Sequence, residues 1–528
     1  MNKLIKYAKL SGPGWLQAAV TLGGGSLAGA LYLGVVGGDG LLWLQPMAMF
    51  FGVVMLSALA YVTLSTDDTP FVSTCKYVSP ILAWAWLIAT IIADCVFCPA
   101  QASLGLGIVQ QNFGLSEDQV NPYLITSVMA LISFSVIFLY IKGSKGVVTF
   151  ENILKVMVGL VILCFFGAAV ANMMNGNVNF GSVMKGLIPN PSSLFNAPDS
   201  LNDSIAATGD AASWWKDKAA NSQRDVIITA FATAVGINMT FLLPYTLRKK
   251  KWGKKERELS RYDLILGLAV PFVVATFFLV VTSSAQFHNK YDDVLGKDGQ
   301  PIALEDGYYK LLSARLTVDG DVPTDQVAMR AAADALPLAD KRLAASLTKR
   351  DAGQLATALT PLVGEKNAQL IFGIGIFAMS ISTMIVHMLM NGFALSQAMG
   401  KPGDKTPFLI GAAMPAVTAA LAPLLWSGSN KAAMAIPASV IAGTLLPIAY
   451  LIFILLMNSK RTLGEEKLTG KKLMIVNIVM GTGFFVATFA SIWALNSKGT
   501  AGMYGIIGLV GLATIGILGF IKRNKAIA

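Results

Sequence analysis

The sequence predicts an all-α polytopic membrane protein, and three of its properties support this fold class. Of its 528 residues, 54% are hydrophobic and only 13% are charged, whereas soluble domains have about 25% charged residues. Apolar segments long enough to cross a bilayer recur along the whole chain. The 50 glycines are typical of membrane helices that pack closely through small residues. Together these properties exclude a soluble enzyme.

Apolar segments of about 17 residues or more are the predicted transmembrane helices, about twelve in all. They cover residues 12–36, 41–65, 80–110, 121–142, 147–172, 225–247, 262–285, 367–398, 406–426, 432–457, 473–495 and 502–521. The predicted domains are the first five spans (1–172), an outer loop (173–224), spans six and seven (225–285), a polar helical insertion on the outer side (286–366), spans eight to ten (367–457), and the last two spans with a cytoplasmic tail (458–528).

The distribution of basic residues predicts the orientation of the chain. The net charge is +11, and the lysines and arginines concentrate in every second loop while the short loops between them carry almost none. The basic loops contain Lys3, Lys6, Lys9, Lys142, Lys145, the run 248–261, Lys401, Lys405, Lys460, Arg461, Lys467, Lys471, Lys472, Lys522, Arg523 and Lys525. Cytoplasmic loops are enriched in such residues, so both termini are predicted in the cytoplasm and the chain in the cell (inner) membrane. Orientation and attraction to anionic lipid explain the basic run, and nucleic acid is not an expected partner.

Two predicted spans are interrupted at membrane depth. The first contains Leu22-Gly23-Gly24-Gly25-Ser26, and each glycine costs a helix about 1 kcal/mol relative to alanine. The sixth contains Gly236-Ile237-Asn238-Met239-Thr240 and then Pro244, which removes a backbone donor. Non-helical backbone in a bilayer survives only where it is buried in protein or lines a wet cavity. The alternative is that the glycines merely allow close helix packing.

The spacing of these breaks predicts two inverted repeats of five helices each. The breaks lie in the first and sixth spans, which occupy the same position in two five-helix units that enter the membrane from opposite sides. Such repeats place a substrate site at the midplane, where the two discontinuous helices meet. The sequence therefore predicts secondary transport by alternating access.

Two ionisable residues inside predicted spans are candidates for proton or ion coupling. Asp94 lies in the middle of the third span and His387 in the eighth, and charged groups inside a membrane usually mark ion pathways or relays. The alternatives are a neutral hydrogen-bonded carboxylic acid and a packing histidine. Near the basic end of the fifth span, Glu151 and Lys155 are one turn apart and predict an ion pair.

Several short motifs resemble the Nramp-type divalent metal transporters. The first predicted span begins with Gly12-Pro13-Gly14-Trp15 and has a break about ten residues on, and the second begins with Leu41-Leu42-Trp43. The stretch Gly236–Tyr245 before the basic loop, Glu151, and Leu446-Pro447 extend the resemblance over the first ten spans. The resemblance implies the LeuT-like fold of the amino acid–polyamine–organocation (APC) superfamily, with two inverted repeats and broken helices 1 and 6.

The sequence departs from this family at the positions that bind metal. Where the metal carriers have Asp-Pro-Gly-Asn, this chain has Gly23-Gly24-Gly25-Ser26, and where they have Met-Pro-His, the corresponding positions are Thr240, Phe241 and Leu242. The family's glutamine before Leu-Pro is Leu445. Of its acidic pair in the third span, Asp94 is present and Phe97 stands at the partner position.

These departures favour a small oxyanion as the substrate. No carboxylate is expected near either break, so a divalent cation would be buried without a counter-charge. The free N–H groups at the start of the second half-helix, together with nearby hydroxyl and amide groups, suit an anion. Because some Nramp-like relatives without the metal motif carry bicarbonate, the resemblance makes bicarbonate the named candidate. The predicted substrate-binding residues are Gly23, Gly24, Gly25, Ser26, Leu27, Asn238, Met239 and Thr240.

Other functions stay open at this stage. A divalent metal transporter, for Mg²⁺ or Mn²⁺, is the main alternative because a wide site can hold a partly hydrated ion. A membrane-embedded enzyme is not expected, because the chain has two histidines and lacks an HExxH motif or paired carboxylates. The expected partners are a small inorganic ion, the lipid bilayer, and H⁺ or Na⁺ as a coupling ion in symport. The sequence predicts neither a cofactor nor a resident metal ion, and it leaves a channel or a sensor possible.

Overall fold

The computed structural model describes residues 7, 10–116, 118–302, 306–320, 325–350, 352–426 and 431–525. These residues form helices joined by turns and loops; the only β-structure among them is an isolated bridge between Leu295 and Pro301. The predicted all-α class is therefore confirmed. Lys3, Lys6 and Lys9, which contribute to the predicted orientation, lie outside the described residues.

Fifteen of the described α-helices, most of them long and apolar, form the main bundle. They are α1 (Pro13–Thr21), α2 (Gly24–Gly37), α3 (Leu44–Ser65), α4 (Pro80–Gln111), α5 (Pro122–Ile141), α6 (Ser144–Met174), α7 (Ala212–Ala234), α8 (Ile237–Lys249), α9 (Arg257–Leu264), α10 (Val270–Phe287), α11 (Glu365–Ala398), α12 (Lys405–Ala420), α13 (Ala435–Asn458), α14 (Gly470–Asn496) and α15 (Gly499–Asn524). Shorter α-helices span Pro70–Tyr77, Phe180–Gly186, Asn202–Ala206, Asp306–Asp319, Gln326–Asp334, Leu338–Leu347, Thr360–Val363, Ala422–Leu425 and Lys460–Leu463.

The number of spans differs from the prediction of about twelve. Nine described helices are long and apolar enough to cross a membrane, counting α9 and α10 as one through the π-helical turn Ile265–Ala269, and the bent pair of α1 and α2 makes ten. The predicted span 406–426 is divided, because α12 ends at Ala420 and a separate short helix follows. The predicted span 225–247 is also divided, between α7 and α8. The count of twelve therefore stays a prediction.

The break in the first span is narrower than the sequence suggests. Helices α1 and α2 meet at an angle of 55°, and only Leu22 and Gly23 lie between them. The next two glycines already belong to the first turn of α2. A β-carbon on Gly23 would lie 2.7 Å from the Oγ1 atom of Thr383 in α11, so this glycine also permits close packing, as the alternative interpretation held.

The break in the sixth span also lies between two helices. α7 ends at Ala234, Val235 and Gly236 have extended backbone, and α8 begins at Ile237. Pro244 lies inside α8 and does not end it. Both predicted interruptions are thus present, each only two residues long, and both lie in the buried centre of the bundle.

Burial separates the centre of the bundle from its periphery. Every residue of α2 is buried, whereas α15 buries only Gly502 and Gly516. A peripheral helix with an apolar exposed surface is the arrangement expected when lipid is the solvent. The helices that meet at the two breaks, α1, α2, α7 and α8, are therefore enclosed by other helices, while α14 and α15 flank the bundle.

The polar segment between α10 and α11 contains helices, as predicted for residues 286–366. Arg350 is fully buried and binds Asp293 through two nitrogens, with N···O distances of 2.7 and 2.9 Å. Trp215, at the start of α7, donates through its indole nitrogen to Asp340 at 2.6 Å. The first contact stabilises the insertion internally, and the second fixes it to α7. The predicted domain boundaries stay a prediction.

Candidate functional site

A small cavity lies where the two breaks meet. Its free volume is about 30 Å³, which is room for one or two water-sized species. The lining residues come from α1, α2, α4, α7, α8 and α11, and from the second break. They are Val20, Thr21, Gly25, Ser26, Phe97, Gln101, Thr233, Gly236, Asn238, Met239 and His387.

The structure brings about half of the predicted substrate-binding residues to this cavity. Gly25, Ser26, Asn238 and Met239 line it, as does the predicted coupling residue His387. The lining residues do not include Gly23, Gly24, Leu27 or Thr240. The other predicted coupling residue, Asp94, is fully buried behind the wall that Asn238 and His387 form.

Asp94, Asn238 and His387 form a buried polar triad. The side-chain amide of Asn238 donates to Asp94 Oδ1 at 2.8 Å, and His387 Nδ1 lies 2.9 Å from the same oxygen. The Asn238 amide nitrogen also lies 3.1 Å from His387 Nδ1. With a proton on Nδ1, the His387 ring donates to the Asp94 carboxylate; without that proton, Nδ1 accepts from the Asn238 amide. The presence of the proton on Nδ1 therefore decides which of the two hydrogen bonds forms. The second carboxylate oxygen, Asp94 Oδ2, is buried without a hydrogen-bond partner among the described residues.

This triad corrects the expectation that no carboxylate lies near either break. Asp94 and Asn238 are 144 residues apart in sequence, yet they are in direct contact because α4 packs against the start of α8. The carboxyl group that the first break lacks is therefore supplied to the second break by another helix. In its ionised form, Asp94 would give a cation in the cavity a counter-charge one side chain away.

Met239 supplies a thioether to the cavity. Its sulfur accepts hydrogen bonds from the Thr21 hydroxyl at 3.2 Å and from the Gly236 N–H at 3.3 Å. Its backbone carbonyl accepts from the side-chain amide of Gln17 at 3.1 Å. These contacts with α1 hold the side chain toward the cavity. Thioethers are ligands for the softer transition metals.

The start of α2 offers fewer free donors than the sequence suggests. The N–H of Gly24 donates to Gln101 Oε1 at 2.7 Å, and the N–H of Leu27 donates to the Gly23 carbonyl at 2.9 Å. Gln101 is not among the predicted site residues. Its position seven residues after Asp94, two turns along the same face of α4, is the signal that identifies it.

Thr240 faces away from the cavity. Its hydroxyl donates to the Ile237 carbonyl and accepts a hydrogen bond from the indole nitrogen of Trp86 at 2.9 Å. The hydroxyl proton is therefore not available to a substrate, and the predicted substrate-binding role of Thr240 is corrected. Ser26 does reach the cavity, and its hydroxyl bridges to the Thr233 carbonyl of α7 at 3.4 Å.

Buried polar contacts fix the start of α1. The Asp263 carboxylate accepts hydrogen bonds from the N–H groups of Gly12 at 3.0 Å and Gly14 at 2.6 Å, and from the Ser11 hydroxyl. The predicted pair of Glu151 with Lys155 is wrong. Glu151 binds Lys250 at 2.8 Å, and Lys155 donates to the Ser11 carbonyl, because the approach of α8 and α1 offers each side chain a closer partner.

The described residues contain no group of three or more His, Cys, Asp or Glu side chains that could hold a metal ion. The four cysteines are free thiols. A metal ion in the cavity would therefore be held by a mixed set of neutral donors, with the charge of Asp94 behind them, and would keep part of its water shell.

Comparison with solved structures identifies the fold. Crystal structures of the manganese transporter from Eremococcus coleocola, including two mutants and a complex with an aromatic bis-isothiourea compound, superpose with a TM-score of 0.66 at 14% sequence identity. The match covers 97% of this chain and 94–95% of the other. The predicted LeuT-like fold with two broken helices is thereby confirmed.

Sequence comparison identifies the family. No curated protein matches the chain. A family model described as natural resistance-associated macrophage protein-like (Nramp) matches residues 14–308 and 327–497. These segments contain both breaks, the Asp94 triad and most of the bundle. The resemblance of the short motifs is therefore confirmed, and the chain belongs to the Nramp family.

Proposed function

We propose that this protein is a secondary transporter of a divalent metal cation, Mn²⁺ or Mg²⁺, that binds in the cavity between the two breaks. The contact of the Asp94 carboxylate with Asn238, at the second break, is the observation that carries the proposal. Membership of a family of transporters supports transport over catalysis. The fold shared with a manganese transporter supports a metal cation over an anion.

The cavity suits a partly hydrated ion. It has room for one or two water-sized species, and the side chains of Ser26, Met239 and His387 face it. Asp94 is one layer behind, and in a low-dielectric interior its charge acts strongly over that distance. Hard divalent cations such as Mg²⁺ and Mn²⁺ are commonly bound through few protein oxygens and several waters.

The Asp94 triad couples metal binding to protonation. A proton on both nitrogens of His387 places a positive charge at the cavity wall, which opposes a divalent cation. Loss of that proton removes the repulsion and lets Nδ1 accept from Asn238 instead of donating to Asp94. The coupling ion is therefore H⁺, and Na⁺ is the alternative that a transport assay separates.

The basic loops orient the chain in the cell (inner) membrane with both termini in the cytoplasm. In that orientation the start of α1, held by Asp263, and the ion pair of Glu151 with Lys250 lie on the cytoplasmic side. Both contacts close this side of the bundle, and alternating access requires that they open when the ion leaves toward the cytoplasm.

The bicarbonate hypothesis is weakened on both of its arguments. It depends on free N–H groups at the start of α2 and on the absence of an acid near the breaks. Two of the four N–H groups from Gly24 to Leu27, those of Gly24 and Leu27, have acceptors within the protein, and Asp94 in its ionised form would repel an anion through the cavity wall. Bicarbonate is therefore the competing outcome of the transport experiment.

Transport by purified protein in liposomes tests the proposal. Metal-sensitive dye inside the vesicles follows Mn²⁺ and Mg²⁺ uptake, and a pH dye follows bicarbonate uptake and proton movement. We expect metal uptake by the wild type, faster with a lumen more acidic than the outside than with a sodium gradient, because the proton and the metal ion exclude each other at the triad and move in opposite directions. We also expect a loss of about tenfold or more in Asp94→Asn because a buried counter-charge is removed. Asp67→Asn, which removes an exposed acid from a loop, should transport normally. Bicarbonate uptake without metal uptake would overturn the proposal.

A further inference from the structure

An apolar groove opens on the surface of the bundle, apart from the transport cavity. It lies between α3, the α9–α10 span and the helices α13 and α14, with a volume of about 580 Å³. Its walls are aliphatic, including Met49, Val53, Val273, Met457 and Val476. On its rim, Phe50 and Ile265 are 55% and 42% exposed, which places the opening of the groove on the part of the surface that faces hydrocarbon.

A polar recess adjoins one end of this groove. The two share Ser57, Tyr61 and Arg261, and the recess adds Arg257 and Ser260. The free volume of the recess is about 20 Å³, which is enough for one water-sized group such as a phosphate oxygen.

Two buried donors in the recess have no partner among the described residues. Ser260 is 1% exposed and its hydroxyl makes no hydrogen bond. The Nε atom of Arg257 is likewise buried and unpaired. An unsatisfied buried donor costs about 1–3 kcal/mol, so two of them side by side indicate that a ligand with acceptor atoms completes the recess.

The charge around the recess is positive. Arg257 binds Glu466 at 2.8 Å and stacks on the ring of Tyr61, 4.4 Å from its centroid. Lys254 binds the other oxygen of Glu466 at 3.0 Å. Hydrogen bonds from Arg257 and Lys254 lower the pKa of Glu466. Its carboxylate is therefore ionised and supplies the negative charge of both ion pairs.

Arg261 is the basic side chain of the recess that is available to bind a ligand. Its side chain is exposed and forms no ion pair with a described acid. Arg261, Lys254 and Arg257 together carry three positive charges. The carboxylate of Glu466, which pairs with Lys254 and Arg257, carries one negative charge. An anionic group that enters the recess therefore meets a net positive site.

We infer that the groove and recess bind an anionic phospholipid, with acyl chains along the apolar walls and a phosphate oxygen at Ser260, Arg257 and Arg261. The groove is too apolar for a soluble phosphate compound, whose binding would use the recess alone. The basic run 248–261 lies on this side of the membrane and attracts anionic lipid headgroups to it. The lipid would bind between α3 and α9, two helices next to the transport pathway.

Native mass spectrometry of the full-length protein tests the head-group contacts. Phosphatidylglycerol and phosphatidylcholine of the same chain length are added in competition. We expect the wild type to retain phosphatidylglycerol and Arg261→Ala to retain about fivefold less, as loss of one basic contact implies. Lys405→Ala removes the same charge from an exposed position of α12, outside both the recess and the basic run, and should retain the lipid. Equal retention by Arg261→Ala and the wild type, or equal loss in Lys405→Ala, would overturn the inference.

A bulky substitution in the groove tests whether acyl chains bind along its apolar walls. Val53→Trp should reduce phosphatidylglycerol retention several-fold, because the indole ring occupies the volume of an acyl chain, whereas Ile88→Trp, on an exposed position of α4 outside the groove, should not. Glycerol phosphate, which has the head group without chains, should not compete. Competition by glycerol phosphate, or normal retention in Val53→Trp, would show that the site takes soluble phosphate or none, and the lipid assignment would be wrong.

Discussion

The two breaks are alike in length but bring different chemistry to the cavity between them. After the first break, the residues that line the cavity are Gly25 and Ser26. After the second, they are Asn238 and Met239, an amide in contact with a buried acid and a thioether. The first break also packs more tightly, since Gly23 leaves no room for a β-carbon beside Thr383.

This difference assigns separate roles to the two breaks. The first allows an angle of 55° between α1 and α2 and a close approach of the chain to α11. In the proposed function, the second contacts the ion and responds to the proton through the Asp94 triad. Substitutions after the second break should therefore act on transport, and substitutions at the first should act mainly on stability.

Asn238→Ala is expected to have the largest effect. It removes the hydrogen bond to Asp94 and the acceptor for the Met239 N–H, so Mn²⁺ uptake should fall about 10- to 100-fold, as for loss of a hydrogen bond to a buried charge. The matched substitution after the first break, Ser26→Ala, should reduce initial uptake rates in liposomes by less than a factor of about three, because its hydroxyl makes only a long hydrogen bond of 3.4 Å to a carbonyl. Equal losses in both variants would contradict the division of roles.

Gly23→Ala should mainly destabilise the protein. The new β-carbon would lie 2.7 Å from Thr383 Oγ1 and 2.8 Å from its Cγ2, and overpacking of this kind costs about 1–3 kcal/mol. The melting temperature of the detergent-solubilised protein measures the effect. Gly40→Ala is the control, because a β-carbon at that position would have no neighbouring atom within 4 Å. A normal melting temperature in Gly23→Ala would show that the first break is not tightly packed against α11.

Met239→Leu separates the two candidate metals. Leucine keeps the side-chain volume but removes the sulfur. Both ions prefer oxygen ligands, but Mn²⁺, as a transition metal, is the softer of the two and accepts a thioether more readily than Mg²⁺, so Mn²⁺ uptake should fall about fivefold while Mg²⁺ uptake stays unchanged. Competition between the two ions in the same liposomes gives the ratio directly. An equal change for both ions would indicate that the sulfur only fills space.

Thr240→Val is expected to have the smallest effect on transport. Its hydroxyl accepts from Trp86 and faces away from the cavity, so loss of this bond should cost about 1–3 kcal/mol of stability through the unpaired indole. Mn²⁺ uptake per folded molecule should not change. If Mn²⁺ uptake fell while the stability stayed normal, Thr240 would belong to the substrate site.

The sequence allowed prediction of the fold class and the two interruptions, because a cluster of glycines destabilises a helix. The sequence also singled out Asp94 and His387 as ionisable residues inside spans; the structure places them in contact, and their coupling role stays a prediction. It did not allow prediction of which side chains meet. Asp94 reaches Asn238 across 144 residues, and Gln101 takes the Gly24 N–H, through helix crossings that periodicity does not specify. The anion hypothesis depended on the absence of an acid from the breaks themselves, whereas a neighbouring helix, α4, supplies the carboxyl group of Asp94.

The most direct test of the metal site is equilibrium binding of Mn²⁺ to the purified protein in lipid nanodiscs. The electron paramagnetic resonance signal of free Mn²⁺ reports the fraction that is not bound. We expect one saturable Mn²⁺ site in the wild type and in Asp67→Asn, and binding that is weaker by about tenfold or more in Asp94→Asn, since the buried counter-charge is removed. No saturable site in the wild type, or equal affinity in Asp94→Asn, would contradict a metal site with Asp94 as its counter-charge.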